Sequence, residues 1–151
     1  MHAIKIDLKQ GLVSVDSTPI AVDEKGVLAG STSKFCAPPI QTDEGRMQYR
    51  LVRKASVYGK STDVVIEVRE GRLYAVAFLF DLIEFFGSSV LESKVLKKLE
   101  KSLNINFKSD HSSTAFYNFC RFGQATFFYD AKQGDLSLNL KFGHGTNEFG
   151  F

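Results

Sequence analysis

The sequence has no tryptophan, two cysteines and three prolines among 151 residues. Two cysteines are too few for a disulfide scaffold, so Cys36 and Cys120 are expected as free thiols of a reducing compartment. Long hydrophobic runs are missing as well. The longest, Leu73 to Phe80, falls well short of the ~18 apolar residues of a membrane span. At the start of the chain, Lys5 and Asp7 interrupt Ile4, Ile6 and Leu8, which excludes the continuous apolar stretch of a signal peptide. A cytoplasmic protein without membrane contact is expected. Nor does one sign of charge dominate: 19 Lys+Arg stand against 17 Asp+Glu, a net charge of +2. That balance lacks the basic arm of a nucleic-acid binder and the acidic tail of a charge-driven partner, so no nucleic acid is expected. What is plentiful is phenylalanine. With 14 Phe, 5 Tyr and 44% hydrophobic residues, the chain can build an aromatic core for one domain over 1–151.

Hydrophobic alternation supplies the elements. Ile4, Ile6 and Leu8 alternate with Lys5, Asp7 and Lys9, Gln10-Gly11 turns, and Leu12 to Val15 returns, which predicts a hairpin over 3–16. Pro19 sets off a short apolar piece, Ile20 to Val22, and Asp23 to Gly26 is a polar turn. Residues 29–46 read as a loop-rich stretch, because Gly, Ser, Thr and the Pro38-Pro39 pair exclude a central strand. From Met47 a β-meander is expected. Tyr49, Leu51 and Val57 belong to a strand interrupted by Arg50, Arg53 and Lys54. Tyr58 to Ser61 turns, Val64, Ile66 and Val68 form one apolar face, and Glu70-Gly71 turns again. Leu73 to Phe80 is apolar at every position and predicts a central strand covered on both faces.

One helix is expected, over 89–103. Ser89 and Glu92 fit a capping box, and Leu91, Val95, Leu99 and Leu103 recur every four residues. Lys97, Lys98 and Lys101 suit the negative end of its dipole, and Asn104 suits a left-handed cap. Ser109 to Thr114 then reads as a polar loop. Phe119 to Tyr129 and Leu136 to Phe142 read as strands of a last hairpin, and the glycine-rich tail 143–151 as fraying. The fold class is therefore α+β: an antiparallel sheet of hairpins and a meander with one amphipathic helix packed on it.

Sites of chemistry are not marked. Gly59-Lys60-Ser61-Thr62 has the end of a phosphate-binding loop, but Lys54 stands where its first glycine belongs and a strand follows, so a hairpin turn is expected. His2, His111, His144, Cys36 and Cys120 lack the short spacing of a zinc site, and no metal or cofactor is expected. Cys120 beside His111 or His144, and Asp81 with Glu84, offer a thiolate–imidazole or carboxylate pair only if the fold gathers them. Arg50, Arg53 and Lys54 form a small basic cluster suited to phosphate or to an acidic protein surface, or else a solvated strand face. The segments flanking the helix, 81–88 and 108–117, combine aromatics with carboxylates outside the regular elements. Asp81, Glu84, Phe85, Phe86, His111 and Tyr117 are thus candidate partner-binding residues, with Phe85 and Phe86 as core caps in the plainer reading.

Two segments resemble known sequences. Ile4 to Val15 and Phe122 to Leu138, each a turn between alternating strands, are similar to small stand-alone bacterial proteins found beside polymorphic or contact-delivered toxins. Members often carry an aromatic such as Trp before the position of Gly123, where this chain has Phe122. The resemblance implies a non-enzymatic immunity protein whose partner is a toxin domain, and it carries over no catalytic residue. The alternative is a small cytosolic enzyme or ligand-binding domain with a cleft between sheet and helix.

Overall fold

The computed structural model describes residues 1–7, 10–43, 45–57, 60–80, 97, 100–101, 108–109, 115–120, 123–130 and 135–143. These residues form a mostly antiparallel β-sheet protein. The strands are β1 (His2–Asp7), β2 (Leu12–Val15), β3 (Thr18–Pro19), β4 (Ile40–Asp43), β5 (Arg46–Arg50), β6 (Ala55–Val57), β7 (Lys60–Arg69), β8 (Arg72–Phe80), β9 (Lys108–Ser109), β10 (Ala115–Cys120), β11 (Gly123–Asp130) and β12 (Asp135–Phe142). One short helix, α1 (Gly30–Ser33), precedes β4. Their order across the sheet is β3-β2-β1-β6-β7-β8-β12-β11-β10-β9, with β5 also on β7 and β4 on β5. The single parallel contact among the described residues joins β1 to β6 through His2 opposite Ala55 and Ala3 opposite Ser56.

Local chemistry explains the turns. Two-residue hairpin loops of type I′ need positive φ at both central positions. Asp16 and Ser17 (φ 49° and 69°) supply this between β2 and β3, and Glu70 and Gly71 (φ 51° and 74°) between β7 and β8. The first hairpin, β1 antiparallel to β2 from Ile4 opposite Val15 to Asp7 opposite Leu12, and the Glu70-Gly71 turn are as the sequence predicts. So is the interrupted strand: β5 and β6 both pair with the same edge of β7, broken at 51–54.

The core lies on one face of the central strands. Directly opposed residues Val64, Phe78, Leu138 and Phe127 form one fully buried row, and Ile66, Val76, Leu140 and Ala125 the next. Val13 and Val15 of β2, with Ile20 and Leu28 from the segment after β3, join the same core. Burying side chains of this size contributes about 1.5–3 kcal/mol each.

Several expectations need correction. Leu73 to Phe80 is central, between β7 and β12, but its second face is only half-covered: Leu79 is 38% exposed. Its apolar residues on that face are small or lie among polar neighbours, so uniform hydropathy overstated the burial. The stretch 29–46 holds α1 and β4, because backbone N–H groups of Thr32 and Ser33 close a turn on Ala29 O, and Ile40 pairs across from Gln48 immediately after the prolines. Lys60 and Ser61 begin β7 rather than completing a turn, and Lys108–Ser109 is a strand. The expected strand from Phe119 to Tyr129 is two, since β10 ends at Cys120 and β11 starts at Gly123. Phe116 and Tyr117 consequently lie within β10, opposite Phe127 and Thr126, not in a loop. Of the 89–103 segment, Lys97, Glu100 and Lys101 are α-helical. The rest of that segment, Tyr58-Gly59, residues 110–114 and the tail from His144 lie outside the described residues. No helix among the described residues is long and apolar enough to cross a membrane.

Candidate interaction face

Strand pairing gathers residues that are distant in sequence. On the face opposite the core, Arg50 stands across from Val65, Val65 from Ala77, Ala77 from Asn139, and Asn139 from Thr126. In the adjacent row, Asp63, Leu79, Ser137 and Phe128 are successive neighbours. Val65, Ala77 and Phe128 are partly covered, Ser137 is buried and Leu79 is 38% exposed, so the apolar centre is only part-open. Asn139 donates to Ser137 Oγ at 3.2 Å and satisfies polar groups within this centre.

At the β7–β8 turn end the same face becomes cationic. Arg46, Arg69 and Arg72 stand directly across from one another. Like charges in that relation repel. Glu67 answers two of them: Oε1 accepts from Arg46 Nε at 3.2 Å and Nη2 at 2.9 Å, and Oε2 accepts from Arg69 Nη2 at 3.5 Å. The Glu67 side chain is only 12% exposed, so this carboxylate is largely removed from solvent screening. A bulge at Tyr74, between Ala75 opposite Glu67 and Leu73 opposite Val68, brings the phenol ring beneath Arg69. Arg69 Cζ sits 3.6 Å from the ring centroid, a cation–π stack, and Arg69 Nε is buried without a hydrogen-bond partner. The weaker pair, Lys54 to Asp63 at 3.8 Å, is half-exposed and contributes little.

A second feature lies under the 27–39 segment. Asp23 organises its entry, with Oδ1 accepting from Lys25 and Val27 N–H groups. Leu28 N–H then donates to Tyr49 Oη at 3.3 Å. Pro38 and Pro39 lack N–H donors and line an opening without leaving backbone groups unpaired. Val27, Ser33, Cys36, Met47 and Tyr49 help to enclose an open hollow of about 430 Å³. Cys36 Sγ donates to Thr32 O at 3.7 Å, and burial pushes its thiol pKa up, which makes it a poor nucleophile at neutral pH. The hollow suits an apolar group and offers no acid–base pair of its own.

A clasp fixes the first strand. His2 Nδ1 meets Asp16 Oδ2 at 2.6 Å, Ala3 N–H donates to Asp16 Oδ1 at 2.8 Å, and the His2 ring lies 4.6 Å from the Phe35 ring. The Ala3 N–H, then His2, hold the Asp16 carboxyl below its ordinary value of 3.8. A depressed folded-state pKa gives stability that is complete above 3.8 and lost as pH falls through the lower folded value. Asp16→Asn, which still tolerates the positive φ, is expected to flatten the decline of stability as pH falls below about 3.8. Urea unfolding at a series of pH values checks this; an acid limb as steep as in the parent excludes the clasp as its source.

Of the six residues singled out in the sequence, Asp81, Glu84, Phe85, Phe86 and His111 lie outside the described residues, and Tyr117 is held in β10 opposite Thr126 and Lys108. Lys60-Ser61-Thr62 is strand, with Thr62 buried, and has no phosphate-binding helix after it. Of the basic cluster, Arg50 is opposite Val65 on the face away from Tyr49, and Lys54 is paired with Asp63 of that same face. The outer face escaped sequence reading because its charges come from separate strands; the alternation of Glu67 and Arg69 with Ile66 and Val68 was its only local signal. Compared with known protein families, curated proteins and solved structures, the chain matches none.

Proposed function

We propose that the chain is a non-enzymatic protein-binding protein, an immunity protein that acts in the cytoplasm and neutralises a cognate bacterial toxin by occlusion. The observation that supports this reading most is the half-open outer face, with Val65, Ala77 and Leu79 at its centre and charged residues around it. An apolar centre with a polar rim is the anatomy of a protein interface. Inhibitors of this kind cover an active site with about 800 Å² per partner and need no chemistry of their own. In this reading the amphipathic 89–103 helix packs on the sheet. Asp81, Glu84, Phe85, Phe86, His111 and Tyr117, flanking that helix, extend the contact. Co-expression with the product of an adjacent toxin-like reading frame tests the proposal. The expected result is a stable complex on gel filtration and restored growth of the host. Growth arrest with no complex overturns it.

The hollow beside Cys36 favours a second reading, a domain that binds a small apolar ligand. Its volume lies in the range of small-molecule sites. Shifts of Met47 and Tyr49 signals on titration with a small aromatic compound support that reading, and unmoved signals remove it.

A further inference from the structure

We propose that the outer face of β5, β7, β8 and β12 recognises an acidic protein surface, with Arg72, beside Arg69, as the centre that receives the partner's carboxylates. This rests on the reading of the chain as a protein-binding protein and names the kind of partner.

Charge segregation carries the argument. The chain as a whole has a net charge of only +2. Among the described residues, the turn end of the outer face holds Arg46, Arg69, Arg72 and Lys141 against Glu67; Arg50, Lys54 and Asp63 lie further along, and Asp130 stands opposite Asp135 at the far end. Glu70 lies in the turn at its margin, near Gly45. Lys54 is taken by Asp63, and Glu67 by Arg46 and Arg69. Arg50, Arg72 and Lys141 have neither ion pair nor hydrogen-bond partner for their side chains among the described residues. Cations kept side by side without full compensation repel in the free protein, and an anionic partner relieves that repulsion on binding.

The geometry also favours carboxylates. Arg69 and Arg72 are direct cross-strand neighbours, with the roughly 5 Å spacing of such pairs. The Arg72 guanidinium, unpaired among the described residues, suits a carboxylate bound through two parallel N–H donors, and Arg69, held by Glu67 and stacked on Tyr74, adds fixed positive charge beside it. Stacking on Tyr74 fixes Arg69 before binding and lowers the entropy lost on association. Ala75 separates Glu67 from Lys141 across the strands and leaves room beside the guanidinium groups. A protein surface fits better than nucleic acid. Base stacking needs open aromatic faces, whereas Arg69 occupies the Tyr74 ring and Phe128 is partly covered.

The test uses the full chain and three probes: a short amphipathic peptide of Glu and Leu, its Lys and Leu counterpart, and a single-stranded RNA of matching charge. Fluorescence anisotropy at low and high salt reads binding, and circular dichroism checks the fold of each variant. The Glu/Leu peptide is expected to bind and to weaken with salt. Arg72→Glu, at an exposed strand end, is expected to reduce that affinity about tenfold, and Lys141→Glu in the same direction. Arg53→Glu, an equal charge change in the 51–54 link, is expected to stay within about twofold. Equal losses for Arg72→Glu and Arg53→Glu, tighter binding of the RNA, or no binding of the Glu/Leu peptide overturn the proposal. A toxin complex that is indifferent to Arg72→Glu also removes this inference while leaving the immunity reading intact. Specific peptide binding without any toxin complex does the reverse.

Discussion

Phe78→Ala is expected to remove about 3–5 kcal/mol of folding free energy, the cost of truncating a fully enclosed Phe. Phe78 has no exposure, and its neighbours across the strands, Val64 and Leu138, have none either. Beyond Leu138 comes Phe127, equally enclosed, so the cavity opens in the middle of a four-residue row with little freedom to collapse. Against a typical stability of about 5–15 kcal/mol, this loss leaves a marginal protein. Leu79→Ala, one residue along and on the open face, is expected to cost far less. Urea midpoints with an unchanged slope measure both. Equal losses at the two positions contradict the assignment of core and outer faces.

Gly123→Ala is the second large effect. Gly123 opens β11 at φ 152°, a backbone region nearly confined to glycine, and adopting it costs other residues about 1–3 kcal/mol. A Cβ there would also overlap the carbonyl oxygen of Lys141 and lie 3.0 Å from Gly143 N. Both neighbours are backbone, so the end of the β11–β12 ladder must part. The expected result is destabilisation beyond the conformational cost, with faster amide exchange concentrated around Gln124, Lys141 and Phe142. Unchanged stability and exchange overturn this account. Gly26→Ala is a milder comparison, since its Cβ would approach Gly71 Cα at 3.0 Å.

The fold was legible wherever a turn signal separated alternating residues. Gln10-Gly11, Asp23 to Gly26 and Glu70-Gly71 mark boundaries that the structure keeps. The break at 51–54 was legible because Arg53 and Lys54 cannot continue an apolar face. The turn after Cys120 was not, since Phe119 to Tyr129 is dominated by strand-forming residues and Gly123 reads as one glycine inside a strand. Helix α1 was invisible because a single turn is too short to display a helical period. The face opposite the core was half-legible. Alternation around Ile66 and Val68 says that Glu67 and Arg69 share a side, but nothing local brings Arg46, Arg72 and Lys141 beside them. That information resides in register, which long-range pairing sets.

The seam between β8 and β12 bears on how the chain reaches this structure. The hairpin of β7 and β8 closes through two residues, whereas Phe78 meets Leu138 about 60 residues later in the chain. Each doubling of a closed loop adds only about 0.6 kcal/mol of entropy loss, so the seam is thermodynamically inexpensive. Its burden is kinetic, because folding slows as contacts span more sequence. Until β12 arrives, the edge of β8 presents an unpaired row of N–H and C=O groups beside Val76, Phe78 and Phe80. During synthesis that edge leaves the ribosome well before its partner strand. The interval in which it stands open is when the chain is most susceptible to pairing with another copy of itself.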